Sequence, residues 1–116
     1  MVNTSLYRKG FIMYKVSVII PTYNRAKFLQ TSLDRLKENI TADMDVEVLV
    51  SDNCSPDNTS KVVMSAIDNG LKCTYIRNEK NLGPDGNFMQ CFQKAQGKYL
   101  WLCGDDDYLI PGQFKR

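Results

Sequence analysis

The stretch "KVSVIIPTYNR" (15–25) decides how the rest of the chain is read. From Lys15 to Ile20 it carries two valines and two isoleucines around a single serine, and Pro21 stops the run. A short β-branched apolar run closed by a proline predicts a strand buried on both faces, as strands are in a parallel sheet. The next segment has a different period. In "RAKFLQTSLDRLKENI" (25–40), Leu29, Leu33, Leu36 and Ile40 fall at 4-3-4 spacing, which makes one stripe of a helix. A strand and a helix joined by a polar turn form the first part of a βαβ unit.

The unit repeats along the chain. "DVEVLVS" (45–51) predicts a second strand, and "DNTSKVVMSAIDNG" (57–70) a helix with Val62, Val63, Ala66 and Ile67 on one face. Gly70 is placed to close that helix. "KCTYIRN" (72–78) predicts a third strand, shorter and more polar, nearer a sheet edge. "NLGPDG" (81–86) is expected to break the chain before a helix over "NFMQCFQKAQG" (87–97), with Phe88, Cys91, Phe92 and Ala95 inward and Gly97 at its end. "KYLWLC" (98–103) is the fourth strand. Strands alternating with helices imply parallel pairing through right-handed crossovers. The expected class is α/β, a Rossmann-like, mainly parallel open sheet of about four strands flanked by helices. Residues 1–14 are read as an N-terminal extension without the core of a signal peptide, and 15–116 as one domain.

Composition excludes several classes. The net charge is +2 with scattered basic residues, which gives no argument for nucleic acid or an anionic membrane. No apolar run approaches the ~20 residues that cross a bilayer. The four cysteines, Cys54, Cys73, Cys91 and Cys103, form no C-x-x-C pair, so a zinc site is not expected. They read instead as reduced thiols of a cytoplasmic protein. There is no histidine, hence no serine hydrolase triad within the chain. Neither a P-loop nor a G-x-G-x-x-G fingerprint is present, which argues against nicotinamide chemistry.

Ligands of open α/β sheets bind outside the carboxyl ends of the strands. Those ends are "PTYNR" (21–25), "DNCSPDN" (52–58), "NEKNLGPDG" (78–86) and "GDDDY" (104–108), all rich in polar side chains. Asn24 is expected to cap the following helix, and Tyr23 beside it offers a flat face to a nucleobase. Asp52, at the end of the second strand, can accept a hydrogen bond from a base or a ribose. "SPDNTS" (55–60) reads as a helix start, with Ser55 or Asp57 as cap and Pro56 in the first turn. Asp105, Asp106 and Asp107 leave the fourth strand together. In extended backbone Asp105 and Asp107 point the same way, and in a turn Asp105 and Asp106 pair. Either pair suits a hard divalent cation with open positions for phosphate.

Four ordered segments, "VSVIIPTYNRAKFLQTSLDRL", "VEVLVSDNCSPDNT", "IRNEKNLGPDGNF" and "AQGKYLWLCGDDDYLIPG", together resemble the N-terminal half of family 2 glycosyltransferases, inverting enzymes of the GT-A fold. The resemblance runs from about Lys15 to Gly112 and is closest to bacterial enzymes of O-antigen or capsular polysaccharide synthesis, including abequosyltransferase-like members. It implies that Pro21, Thr22, Tyr23 and Asn24 hold the nucleotide of a nucleotide-diphosphate sugar and that Asp52 meets the base. It also implies a D-x-D-type metal motif for Mn²⁺ or Mg²⁺ at 104–107, with Gly104 where the family carries its first aspartate. Asp106 then becomes the first choice of metal ligand, with Asp105 near ribose or metal, and Asp107 able to substitute. The acceptor would be a saccharide or a lipid-linked saccharide. The family's catalytic base follows the D-x-D half, so no residue of 1–116 takes that role, and the chain reads as the donor-binding part of a longer enzyme.

Two other classes remain open at the level of sequence. One is a non-catalytic nucleotide-sugar-binding or assembly module, self-associating through an exposed sheet edge. The other is a metal-dependent nucleotidyltransferase, for which Arg25 is the lone basic residue after the first strand. Peripheral membrane association is expected of the full-length enzyme only.

Overall fold

The computed structural model describes residues 2–3, 14–41 and 43–104. In chain order the elements are β1 (Val2–Asn3), β2 (Tyr14–Thr22), α1 (Ala26–Asn39), β3 (Val46–Asp52), α2 (Thr59–Asp68), β4 (Cys73–Arg77), α3 (Gly83–Lys94) and β5 (Gly97–Leu102). They form one sheet of order β1-β5-β2-β3-β4. The four longer strands run parallel, with Val18 opposite Val48 and Trp101, and Val50 opposite Tyr75. The short β1 adds an antiparallel edge on β5, which the sequence reading had left within the extension. The third predicted strand, β4, lies at the other edge, as its polarity implied.

Strand alternation divides the core in two. Val16, Val18, Ile20, Val46, Val48 and Val50 face α1 and α2, where they pack on Leu29, Leu33, Leu36 and Val63. Ile19, Leu49 and Leu100 face α3 and meet Cys91 and Ala95. The predicted helical stripes at 29–36 and 88–95 are therefore the faces that are buried. The chain steps from β2 through β3 to β4 in one direction and then returns to the far side of β2. With crossovers of one hand, a reversal of direction puts the connecting helix on the opposite face, so α3 lies across from α1 and α2. The reversal falls between β3 and β5, on either side of β2, which makes the carboxyl end of β2 the switch point.

Two boundaries differ from the sequence reading. The break expected at 81–86 is in large part the first turn of α3, which begins at Gly83 with Pro84 just inside it. Proline is tolerated there because the first helical N–H groups have no intrahelical acceptor to lose. Gly97, expected to end that helix, instead opens β5 opposite Tyr14. Gly70 does close α2: at φ +106° it donates to the Ile67 carbonyl, and Leu71 N–H reaches the Ala66 carbonyl. This pair of bonds is a Schellman motif, which needs a left-handed residue at that position.

Candidate functional site

Because β2, β3, β4 and β5 are parallel, their carboxyl ends open on one side of the sheet. Backbone bonds knit the first three ends together: Asn53 N–H donates to the Thr22 carbonyl at 2.9 Å, and Asn78 N–H to the Asp52 carbonyl at 2.8 Å. At the end of β5, Cys103 N–H reaches the Ile19 carbonyl at 3.0 Å. The mouth is thus a continuous rim rather than four independent loops.

On this rim Pro21 is half-buried, Thr22 is buried, and Tyr23 and Asn24 are exposed, Tyr23 to 44%. Asn24 does not cap α1 as expected. It sits in the left-handed region at φ 54°, and its N–H donates to Ser55 Oγ at 2.9 Å. Cys54, on the neighbouring loop, is also left-handed at φ 68°. Non-glycine residues in this region carry backbone strain, and two of them sit side by side at the strand mouths. The guanidinium of Arg25 lies 4.8 Å from the Phe28 ring centroid.

Capping is done from another loop. Asp57 Oδ2 accepts the Ala26 N–H of α1 at 3.0 Å, while Oδ1 accepts the N–H of Thr59 at 3.1 Å and its hydroxyl at 2.5 Å. One carboxylate therefore holds the first turns of both α1 and α2, where negative charge suits the helix dipoles. Ser55, the other candidate cap, is used by Asn24, and Pro56 precedes α2 rather than entering its first turn. Desolvation, the largest single influence, pushes the Asp57 pKa up, but the bonds from the Thr59 hydroxyl and from the Ala26 and Thr59 amides together outweigh it and hold the carboxyl below its ordinary value. We expect Asp57→Ala to cost about 1–2 kcal/mol in urea unfolding. A carboxyl depressed in the folded state contributes above its unfolded pKa and loses that contribution as pH falls through the folded value. The gap between wild type and Asp57→Ala should accordingly be full at pH 6 and narrow progressively as pH falls below about 4. A gap of the same size at every pH, or one that widened in acid, would overturn this assignment.

Asp52 is fully buried. Its Oδ1 accepts Ser55 N–H at 2.9 Å, and its Oδ2 accepts the Tyr75 hydroxyl at 2.5 Å. Burial, followed by that hydrogen bond and the charge of Asp52, pushes the Tyr75 phenol well above its usual range, so it remains a donor at neutral pH. Arg77 Nη2 donates to the Ser55 carbonyl at 3.3 Å and closes the same corner. Asp52 thus stands at the expected strand end, directly opposite Thr22 in register, with its carboxylate turned to protein donors.

All four cysteines are free thiols. Burial raises Cys73 to about 12 and Cys91 to about 11, which leaves both protonated and weakly nucleophilic at neutral pH. Asp105, Asp106 and Asp107 lie outside the described residues, which end at Gly104 just past β5. Among the described residues no group of three His, Cys, Asp or Glu side chains comes together to hold a metal ion. An apolar hollow of about 400 Å³, lined by Ile19, Phe88, Met89, Phe92, Leu100 and Leu102, lies between α3 and β5 on a face of the sheet and not on the rim.

Sequence reasoning passed over Tyr75, which reads as an ordinary strand aromatic, and the joint between Asp57 and α1. It also passed over Asn53, Asn78, Asn87 and Gln90, all of which are bonded around the rim. The recurrence of asparagine at 53, 78, 81 and 87, beside strand ends, is the signal that was available.

Comparison with known proteins agrees with this layout. A model of "Glycosyl transferase family 2" matches residues 17–116. Abequosyltransferase RfbV of Salmonella typhimurium is 38% identical over 95 residues, covering 81% of this chain and 28% of that protein. A GalNAc(5)-diNAcBac-PP-undecaprenol beta-1,3-glucosyltransferase of Campylobacter jejuni is 33% identical, over 86% of this chain and 32% of its own length. Among solved structures, S. aureus TarS 1-349 in complex with UDP-GlcNAc superposes with a TM-score of 0.79 at 31% identity, covering 87% of this chain and 29% of that one. The mannosyltransferase PcManGT of Pyrobaculum calidifontis, in complex with GDP-Man and Mn²⁺, superposes at 0.74 with 25% identity, covering 86% and 30%. The chain therefore spans about a third of the length of the relatives it matches, and it belongs to glycosyl transferase family 2.

Proposed function

We propose that this chain is the donor-binding part of an inverting, metal-assisted glycosyltransferase of cell-surface polysaccharide synthesis. The observation that carries the reading is the rim itself: four parallel strand ends converge at the switch point, in a fold shared with proteins solved with UDP-GlcNAc and with GDP-Man and Mn²⁺. Pro21, Thr22, Tyr23 and Asn24 would line the nucleotide. Tyr23 is the exposed aromatic of that loop and so the candidate to stack on a base. In the structure as described Asp52 is enclosed, so its contribution is to hold the corner formed by Ser55 and Tyr75 beneath the nucleotide. Free thiols accord with a reducing cytoplasm.

The donor set at 105–107 is all carboxylate, which fits a hard cation of the Mn²⁺ or Mg²⁺ kind. Asp106 is the first choice of ligand, with Asp105 and Asp107 beside it. A divalent cation so held supplies charge neutralisation at the leaving diphosphate. The acceptor, a saccharide or lipid-linked saccharide, and the base that deprotonates it are assigned to no residue of 1–116.

Titration of the 116-residue chain with UDP, GDP and CDP and their sugars, with and without Mn²⁺, tests the reading. Metal-dependent binding of at least one of them is expected. Asp106→Ala should abolish the metal dependence and leave the fold intact, because the substitution removes the proposed ligand. A folded chain that binds none of these compounds in Mn²⁺ would sink the proposal. Unchanged metal dependence in Asp106→Ala would move the site to Asp105 and Asp107.

A further inference from the structure

Among the described residues of the rim, the side chain of Asn53 has no capacity left for a ligand. Asparagine offers two N–H donors and one carbonyl acceptor with two lone pairs. In Asn53 all four are used. Oδ1 accepts from Asn78 Nδ2 at 3.0 Å and from Leu82 N–H at 2.8 Å, and Nδ2 donates to Asn81 Oδ1 at 2.8 Å and to the Gly83 carbonyl at 3.2 Å. Its main-chain N–H is bonded to Thr22, and the residue is buried. Asn53 thus ties the ends of β2 and β4 to the first turn of α3.

The hub is braced from behind. Asn78 Nδ2 also reaches Asn87 Oδ1 at 3.1 Å, and its Oδ1 accepts from Gln90 Nε2 at 2.5 Å. Asn87 accepts from Ser51 Oγ at 2.6 Å and returns a bond to the Ser51 carbonyl at 2.9 Å. Each member is satisfied by another, so the network holds one arrangement, and loss of a member leaves buried groups without partners. Its outward product is the segment 79–82, which the hub fixes at Asn81 and Leu82 and which presents exposed Glu79 and Lys80 beside the loop of Cys54 and Ser55.

We propose that Asn53 is a positioning residue: it fixes the 79–82 wall of the mouth before a ligand arrives, so that a nucleoside diphosphate binds without first ordering that loop. The proposal rests on the donor-binding reading. Its physical content is preorganisation, since a wall already held in place removes an ordering cost from binding.

The test uses the whole chain, amide hydrogen exchange by NMR, and titration with UDP and GDP in Mn²⁺. In Asn53→Ala the Leu82 and Gly83 amides should exchange about tenfold faster or more, with the amides of β2 and β3 unchanged. Affinity for the bound diphosphate should fall about fivefold or more. Asn81→Ala guards against a folding failure, because Asn81 is exposed while its Oδ1 accepts from both Asn53 and the Gly83 amide. It should loosen the Leu82 amide and weaken binding with a smaller fall in melting temperature than Asn53→Ala, because it takes one acceptor from Asn53 and leaves the rest of the network paired. A purely structural role would make the loss of binding follow the loss of stability. Unchanged exchange at Leu82 and Gly83 in both variants overturns the clamp. Faster exchange with affinity within twofold of wild type overturns its role in binding. A wild type that binds neither diphosphate removes the donor reading and the ligand half of this proposal together, while the exchange measurement, which needs no ligand, still decides the clamp.

Discussion

Gly97→Ala should cost the chain about 3 kcal/mol or abolish its cooperative unfolding. A Cβ at Gly97 would lie 2.5 Å from Ser17 Oγ, 2.6 Å from the Ser17 backbone nitrogen and 2.8 Å from the Val16 carbonyl carbon. Two of those atoms are main chain of the central strand, so no rotamer change relieves the contact, and β5 must move away from β2. The polar cluster there would open as well. Gly97 N–H donates to Ser17 Oγ at 2.7 Å, Ser17 Oγ donates to Glu47 Oε2 at 2.5 Å, and Gln96 N–H reaches the same carboxylate oxygen at 2.7 Å. Glu47 is only 7% exposed, so a partner lost to it is not replaced freely by water. For a domain of this size the loss corresponds to a fall in melting temperature of about 15 °C. Gly70→Ala is the control: nothing lies within 4 Å of its Cβ position, but φ is +106°, so its cost of about 1 kcal/mol is backbone strain alone. A Gly97→Ala variant no less stable than Gly70→Ala would refute the steric account.

Asp52→Ala should be nearly as damaging, at about 2–4 kcal/mol, because it strands the Ser55 N–H and the Tyr75 hydroxyl at a fully buried position. Asp52→Asn separates the two roles that the position can be given. Its carbonyl oxygen can still accept from Ser55 N–H and its amide can donate to the Tyr75 oxygen, so most of the stability should return. If Asp52 serves by holding this corner, diphosphate affinity recovers along with stability. If the carboxylate meets the base directly, Asp52→Asn folds like wild type and binds the nucleotide at least tenfold more weakly, an outcome that would return the residue to direct contact. Urea unfolding and titration on the same samples give both readouts.

The fold was legible because two periods carry it. The alternation of apolar strands with helical stripes, spaced 4-3-4 in α1 and falling on one face in α2 and α3, identified β2 to β5 and the three helices, and Leu29, Leu33, Leu36, Cys91 and Ala95 are buried where those stripes put them. The misplaced start of α3 has a local cause: Gly83, Pro84 and Gly86 look like a loop to propensity, yet a first helical turn makes few demands on N–H groups. Much of the site was less legible because its parts are joined across long separations. Asp57 caps a helix 31 residues before it, and Asn53 bonds across 29 residues to Leu82. Such bonds depend on which strand ends become neighbours, and no window of sequence holds that information. The location of the rim was legible from the architecture alone, since ligands of open α/β sheets bind at the carboxyl ends of the strands, and the four-segment resemblance added the roles of its residues.

The placement of β2 at the centre of the sheet also sets an order of events during synthesis. Ser17 meets its partner on β3 across 30 residues but its partner on β5 across 80. At translation rates of about 5–20 residues per second, roughly 50 further residues take about 3–10 s to emerge. Throughout that interval the edge of β2 facing β5, with its run of valine and isoleucine, is an open template for pairing with another chain. The strand that leaves the ribosome early is also the one whose second neighbour comes last, so Gly97, which admits that neighbour, marks the point at which the nascent chain ceases to present an open edge on β2.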